Sequence, residues 1–140
     1  MEKISIEYWN ELANQLIVIS SLLSGFTIAV IANLLVSETN TRLSRIIMVA
    51  AVLAASFFLI TLFTNTRVLL MTTNGYPFKI TEQRLINYSS IGSISFYLGM
   101  MSLIAIVALA GWTKSKKTGI FTTIVGVLTF LFIFLILMLN

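Results

Sequence analysis

Residues 12–37, 46–66, 85–113 and 118–140 contain no charged side chain. Each stretch is long enough to cross the hydrocarbon of a bilayer, which takes roughly 20 apolar residues in a helix. Backbone N–H and C=O groups find no water there, so each stretch has to be a helix that satisfies its own hydrogen bonds. The pattern predicts an all-α polytopic membrane protein with four transmembrane helices. The spans are expected over about 14–36, 46–71, 87–112 and 118–139, in a single domain covering residues 1–140.

Composition narrows the chemistry. At 140 residues and 58% hydrophobic, four spans leave no length for a soluble module. There is no Cys and no His, which removes disulfides, thiolate chemistry, structural zinc and imidazole catalysis. No catalytic residue, metal site or cofactor is expected. The net charge of +4 lies in short separate loops, a pattern that suits anionic headgroups of the lipid bilayer and not nucleic acid. The first apolar stretch is too long for the core of a signal peptide and follows Glu2, Glu7 and Glu11, so a cleaved leader is not expected.

Punctuation between the stretches is clear. Residues 1–14 mix acids with Tyr8 and Trp9, whose rings suit the headgroup level, and are expected to continue the first span outward. A short loop, SETNTRLSR, makes the first two helices antiparallel neighbours. The second span is expected to run past Arg67, a residue that snorkels at the span end, and to stop at the Asn74-Gly75-Tyr76-Pro77 turn signal. Residues 78–88 lead amphipathically into the third span. Trp112 marks its far interface, and a basic loop opens the fourth, which reaches Leu139-Asn140 at the membrane boundary. Lysine and arginine number four on the side of the termini and five on the other, so loop charge does not orient the protein.

The expected hydrocarbon segments hold no Asp, Glu, Lys, Arg or His. Proton-coupled and many ion-coupled transporters keep one there because it carries the coupling; its absence argues against such a transporter and against an intramembrane enzyme. Asn65, Thr61, Thr64 and Thr66 are expected to hydrogen-bond between helices. The fourth span, apolar on all sides, is expected to face lipid most.

The first span is the least hydrophobic of the four, and its polar residues are not scattered. Helical residues advance by about 100° each; with Asn33 at zero, Gln15 falls near 0°, Leu22 and Phe26 within about 20°, and Ala29 and Glu11 at about −40°. That stripe is polar at one end, apolar in the middle and polar at the other. Several copies around an axis would form a pore with a Glu11/Gln15 mouth, a Leu22/Phe26 neck and an Asn33 ring, all ordinary channel parts. A plainer alternative stays open. Ser21, Gly25, Ala29 and Asn33 recur every four residues, a small-residue seam that lets helices pack closely, with Ser21 and Gly25 as its helix-packing residues.

Ser21-Leu22-Leu23-Ser24-Gly25-Phe26 resembles the start of the pore helix in the Orai calcium-release-activated calcium channels. The third span ends LGMMSLIAIVALAGWTK, similar to that family's third helix in the positions of Gly99 and of Trp112 to Lys114. Thr122-Thr123-Ile124 resembles a run in its fourth helix, and the short-long-short order of loops is shared. The resemblance covers roughly residues 15–138. It implies a homo-oligomer, a hexamer in that family, with the first helices around the axis and both termini cytoplasmic in a plasma or inner membrane. It places Asn33 at the selectivity filter, Leu22 and Phe26 on pore-lining hydrophobic positions and Ala29 at the gate. Val18, Asn14 and Asn10 stand where the family has a basic stretch, and Val18 is counted with Leu22 and Phe26 among the expected pore-lining residues.

The departures bear on function. Asn33 replaces the filter glutamate, Ile106 a third-helix glutamate and Val127 a fourth-helix proline. No counterpart is expected of the C-terminal cytosolic helix that binds the family's activator. Calcium favours several hard, charged oxygens, so a neutral amide ring implies weak calcium selectivity among small cations. Two other functions fit the sequence: a small membrane-depolarising, pore-forming effector, and a non-conducting membrane scaffold in which Asn33 only holds helices together.

Overall fold

A computed structural model describes residues 5–36, 41–77 and 81–139. The loop residues 37–40, residues 78–80 of the amphipathic lead, residues 1–4 and Asn140 lie outside that description. Four helices follow one another: α1 (Ile6–Val36), α2 (Arg42–Thr72), α3 (Glu82–Ala110) and, after a 3-10 turn at Gly111–Thr113, α4 (Lys116–Met138). All four are long and apolar enough to cross a membrane. The protein is an all-α, four-helix, multi-pass membrane protein.

Helix ends fall where local chemistry puts them. The N-terminal segment is continuous with the first span, since α1 starts at Ile6. Its 31 residues make a rod of about 46 Å, longer than the roughly 30 Å of bilayer hydrocarbon, so its polar first turns reach the headgroups. Thr41 caps α2 by accepting from the Ser44 amide at 3.1 Å. α2 runs past Arg67 to Thr72. The chain then turns at Asn74-Gly75, where Gly75 takes a φ of 91°, a left-handed conformation that favours glycine. Ser115 caps α4 by accepting from the Thr118 amide at 3.2 Å.

The helices pack in series. α1 lies on α2, α2 on α3, and α3 on α4; α1 and α3 barely meet, and α1 and α4 do not meet at all among the described residues. α2 is the hub. Its residues Ile47, Ala51, Ala54 and Phe58 join Ile106 of α3 in the larger apolar cluster, with Val30, Ile31 and Leu34 of α1 against it. Val68 and Met71 join Ala13 and Leu85 in a smaller cluster toward the other end. Between them along α2 sit the fully buried Thr61 and Asn65.

That polar layer bonds mostly to itself. Thr61 Oγ1 lies 3.2 Å from the carbonyl oxygen of Gly92 across the α2–α3 interface and 3.0 Å from that of Phe57 in its own helix. Asn65 Nδ2 donates to the Thr61 carbonyl at 2.8 Å, and Thr64 and Thr66 donate to Ile60 and Leu62. Of the four residues expected to bond between helices, Thr61 alone is seen to do so. A hydroxyl or short side-chain amide on a helix finds a carbonyl three or four residues back at little cost, and the others take that option.

Close approach of α2 and α3 depends on glycine. A methyl group at Gly99 would sit 2.8 Å from Cε1 of Phe58, a fully buried ring held edge-on to Phe96 with centroids 6.1 Å apart. At the α3–α4 junction, Trp112 lies over Gly119 and donates from Nε1 to Thr123 Oγ1 at 2.9 Å. Thr122 and Thr123 both reach the Ala108 carbonyl. The tryptophan expected at the interface thus also latches α4 to α3. As expected of the most lipid-facing span, α4 is the least buried of the four.

Gly99→Ala should cost about 1–3 kcal/mol through overpacking against Phe58. Gly25→Ala, where a methyl meets nothing within 4 Å, should be neutral or gain up to about 1 kcal/mol of helix propensity. Unfolding in mixed micelles by titrated SDS checks the contrast.

Candidate functional site on the open face of the first helix

α1 presents two different faces. Toward α2 it buries Ala13, Ser20, Ser24 and Thr27, spaced by seven, four and three residues and so aligned along one side of a helix. Small side chains on this side let the two long helices lie close. Thr27 Oγ1 is bonded to the Ser24 carbonyl at 2.8 Å. The hydroxyls of Ser20 and Ser24 are buried with no hydrogen-bond partner.

The stripe selected from the sequence lies on the other side. Glu11, Gln15, Val18, Leu22, Phe26, Ala29 and Asn33 are all exposed; Val18, Leu22 and Phe26 are 54%, 70% and 56% exposed. A single chain therefore leaves a bare apolar band between two polar groups. From Gln15 to Asn33 the rise is about 27 Å, close to the thickness of the hydrocarbon layer. The stripe places its polar members near the two edges of that layer and its apolar members inside it.

Ser21 and Gly25 share this open side. Ser21 is exposed and donates to the Ile17 carbonyl at 2.7 Å, while Gly25 has open space where a side chain would begin. Within the chain, the surface packed on α2 is the one bearing Ser20, Ser24 and Thr27, rotated from the Ser21–Gly25 seam. The seam faces outward, toward lipid or another chain.

At the polar mouth, Gln15 Nε2 donates to Glu11 Oε1 at 3.3 Å. Glu11 also lines an open hollow of about 760 Å³ between the start of α1 and the end of α2, with Glu7, Asn10, Thr72 and Asn74 among its walls. Asn10, at a position of the basic stretch in the resemblance, donates from Nδ2 to Thr72 Oγ1 at 2.9 Å and ties α1 to α2. Ile106, which the resemblance alone sets at the position of a third-helix glutamate, is buried in the main apolar cluster.

Sequence reasoning missed the inner face of α1. Its signal was present, because Ala13, Ser20 and Thr27 repeat every seven residues, but it competes with the equally regular Ser21–Gly25–Ala29 series. Among the described residues no group of His, Cys, Asp or Glu could hold a metal ion. The chain matches no family model, no curated protein and no solved structure.

A buried hydroxyl without a partner costs roughly 1–3 kcal/mol. Ser20→Ala and Ser24→Ala should therefore leave the fold as stable or raise its stability by up to about 2 kcal/mol. Unfolding in mixed micelles measures this, and a loss above about 1 kcal/mol would show that the hydroxyls are bonded after all.

Proposed function

We propose that the chain is one subunit of a homo-oligomeric cation channel on an Orai-like plan, six copies around an axis with α1 innermost. The observation that carries this reading is the exposure of the entire Glu11–Asn33 stripe on the side of α1 turned away from α2. A chain this small cannot enclose a pore alone, and closed cyclic symmetry is the natural way to build one. The serial packing supports the same plan: α1 and α4 do not meet among the described residues, as suits helices at the inside and outside of a ring. Ser21 and Gly25 flank the stripe and would let neighbouring first helices approach.

In this assembly Glu11 and Gln15 form a cation-attracting mouth that opens on the polar hollow. Val18, Leu22, Phe26 and Ala29 form an apolar neck that closes by dewetting. Asn33 forms the narrow ring at the other end. Neutral amide oxygens bind calcium weakly, so the channel passes small cations with little calcium preference. It sits in a plasma or inner membrane with both termini cytoplasmic.

Flux of Na⁺, K⁺ and Ca²⁺ through purified protein in liposomes tests the reading. Phe26→Ala should conduct monovalent cations at least as well as the native chain. Adding Asn33→Glu should shift preference toward Ca²⁺ by about tenfold, near 1.4 kcal/mol. Silence of every variant would leave a scaffold; flux that discriminates no solute and ignores position 33 would indicate a depolarising effector.

A further inference from the structure

The net charge divides unevenly once the two ends of the molecule are distinguished. Asn10 meets Thr72, and Ala13, Met71 and Leu85 cluster, which gathers the start of α1, the end of α2 and the start of α3 at one end. Thr122 and Thr123 on Ala108 bring the end of α3 to the start of α4 at the other. By chain order the first end carries Lys3, Arg67, Lys79 and Arg84 against Glu2, Glu7, Glu11 and Glu82. The second carries Arg42, Arg45, Lys114, Lys116 and Lys117 against Glu38 alone. The whole net charge of +4 belongs to that second end.

Its arginines are placed unfavourably for the protein by itself. They stand in the opening turns of α2, which hold no acidic residue, where the helix dipole is positive and a cation is disfavoured. Neither guanidinium group has a hydrogen-bond or ion-pair partner among the described residues. Together they head a shallow groove of about 370 Å³ running down α2 along Ile46, Val49, Ala50 and Leu53. Ile46, Val49 and Leu53 are exposed, on a stripe turned away from the buried Ile47, Ala51, Ala54 and Phe58.

A cationic head on an apolar track asks for a ligand with an anionic group and a hydrocarbon tail. We propose that Arg42, Arg45 and the Ile46–Leu53 groove bind one anionic phospholipid. The two guanidinium groups hold its phosphate through charge-assisted hydrogen bonds, for which their planar fork is suited. One acyl chain lies against Ile46, Val49 and Leu53. A zwitterionic headgroup carries the same phosphate but adds a cation beside the arginines, so the site prefers phosphatidylglycerol to phosphatidylcholine. The inference needs only the membrane-spanning fold and stands apart from conduction.

The test is native mass spectrometry of the full chain released from nanodiscs containing equal parts phosphatidylglycerol and phosphatidylcholine. The native protein should retain phosphatidylglycerol preferentially. Each arginine near an anionic headgroup is worth roughly fivefold in binding, so Arg42→Gln with Arg45→Gln should weaken retention by about 25-fold. Lys116→Gln with Lys117→Gln, equal in charge removed but distant in the groove's terms, should change it little. Val49→Trp should block retention with both arginines intact. Absence of preference in the native chain, or an equal loss in the lysine variant, would overturn the site in favour of a diffuse surface charge. A change of oligomer size in Val49→Trp with retention unaltered would overturn it in favour of a second copy covering the groove.

Discussion

Apolar side chains inside a bilayer gain little by leaving lipid for one another, so helices there are held by close contact and by the hydrogen bonds that contact permits. In this protein that contact centres on α2. Phe58 rests on Gly99, Thr61 reaches the Gly92 carbonyl, and Asn65 fills the space left by the missing side chain of Gly92. With α2 and α3 seated in this way, the apolar clusters on either side of the polar layer can close. α1 then needs only a line of small residues to lie against α2, and α4 needs only its latch at Trp112 and the two threonines.

Serial packing leaves the molecule unfinished on one side. A soluble domain would bury the apolar middle of α1, whereas here Leu22 and Phe26 remain open and the two polar ends of the stripe are separated by about the thickness of a hydrocarbon layer. Lipid can cover such a surface, but lipid gives no reason for Glu11 and Gln15 at one end and Asn33 at the other to share its line. An axis of symmetry does. The proposed channel follows from that alignment together with the exposure of every member of the stripe.

Charge adds a second asymmetry that lysine and arginine counts conceal. The two ends differ by one basic residue, yet the acids sit almost entirely at one of them. One end is neutral and the other carries the full positive charge, with arginines at a helix start where nothing in the described chain offsets them. An anionic phospholipid supplies the missing counter-charge and fills the groove below it, which makes the lipid a structural complement of the fold and not only its solvent.

Much of this fold was legible in the residues because membrane physics restricts it so severely. Unbroken runs without charge can only be helices in hydrocarbon, and Asn74-Gly75 can only be a turn beside a proline. The open stripe was legible too, since a period of 3.6 residues places Glu11, Leu22 and Asn33 on one side whatever surrounds them. The choice of partner was not. Ser20-Ser24-Thr27 and Ser21-Gly25-Ala29 are equally regular series of small residues, and periodicity has no means to say which one meets α2. Asn65 and its threonines likewise announced a polar layer without revealing that most would bond within their own helix. Sequence alone determined the solvent, the four helices and the content of each helix face, because those follow from local composition and helical pitch. Only the tertiary structure decided which face of α1 is covered, which glycines are occupied by a neighbour and which arginines stand over a groove, because those depend on contacts between residues far apart in the chain.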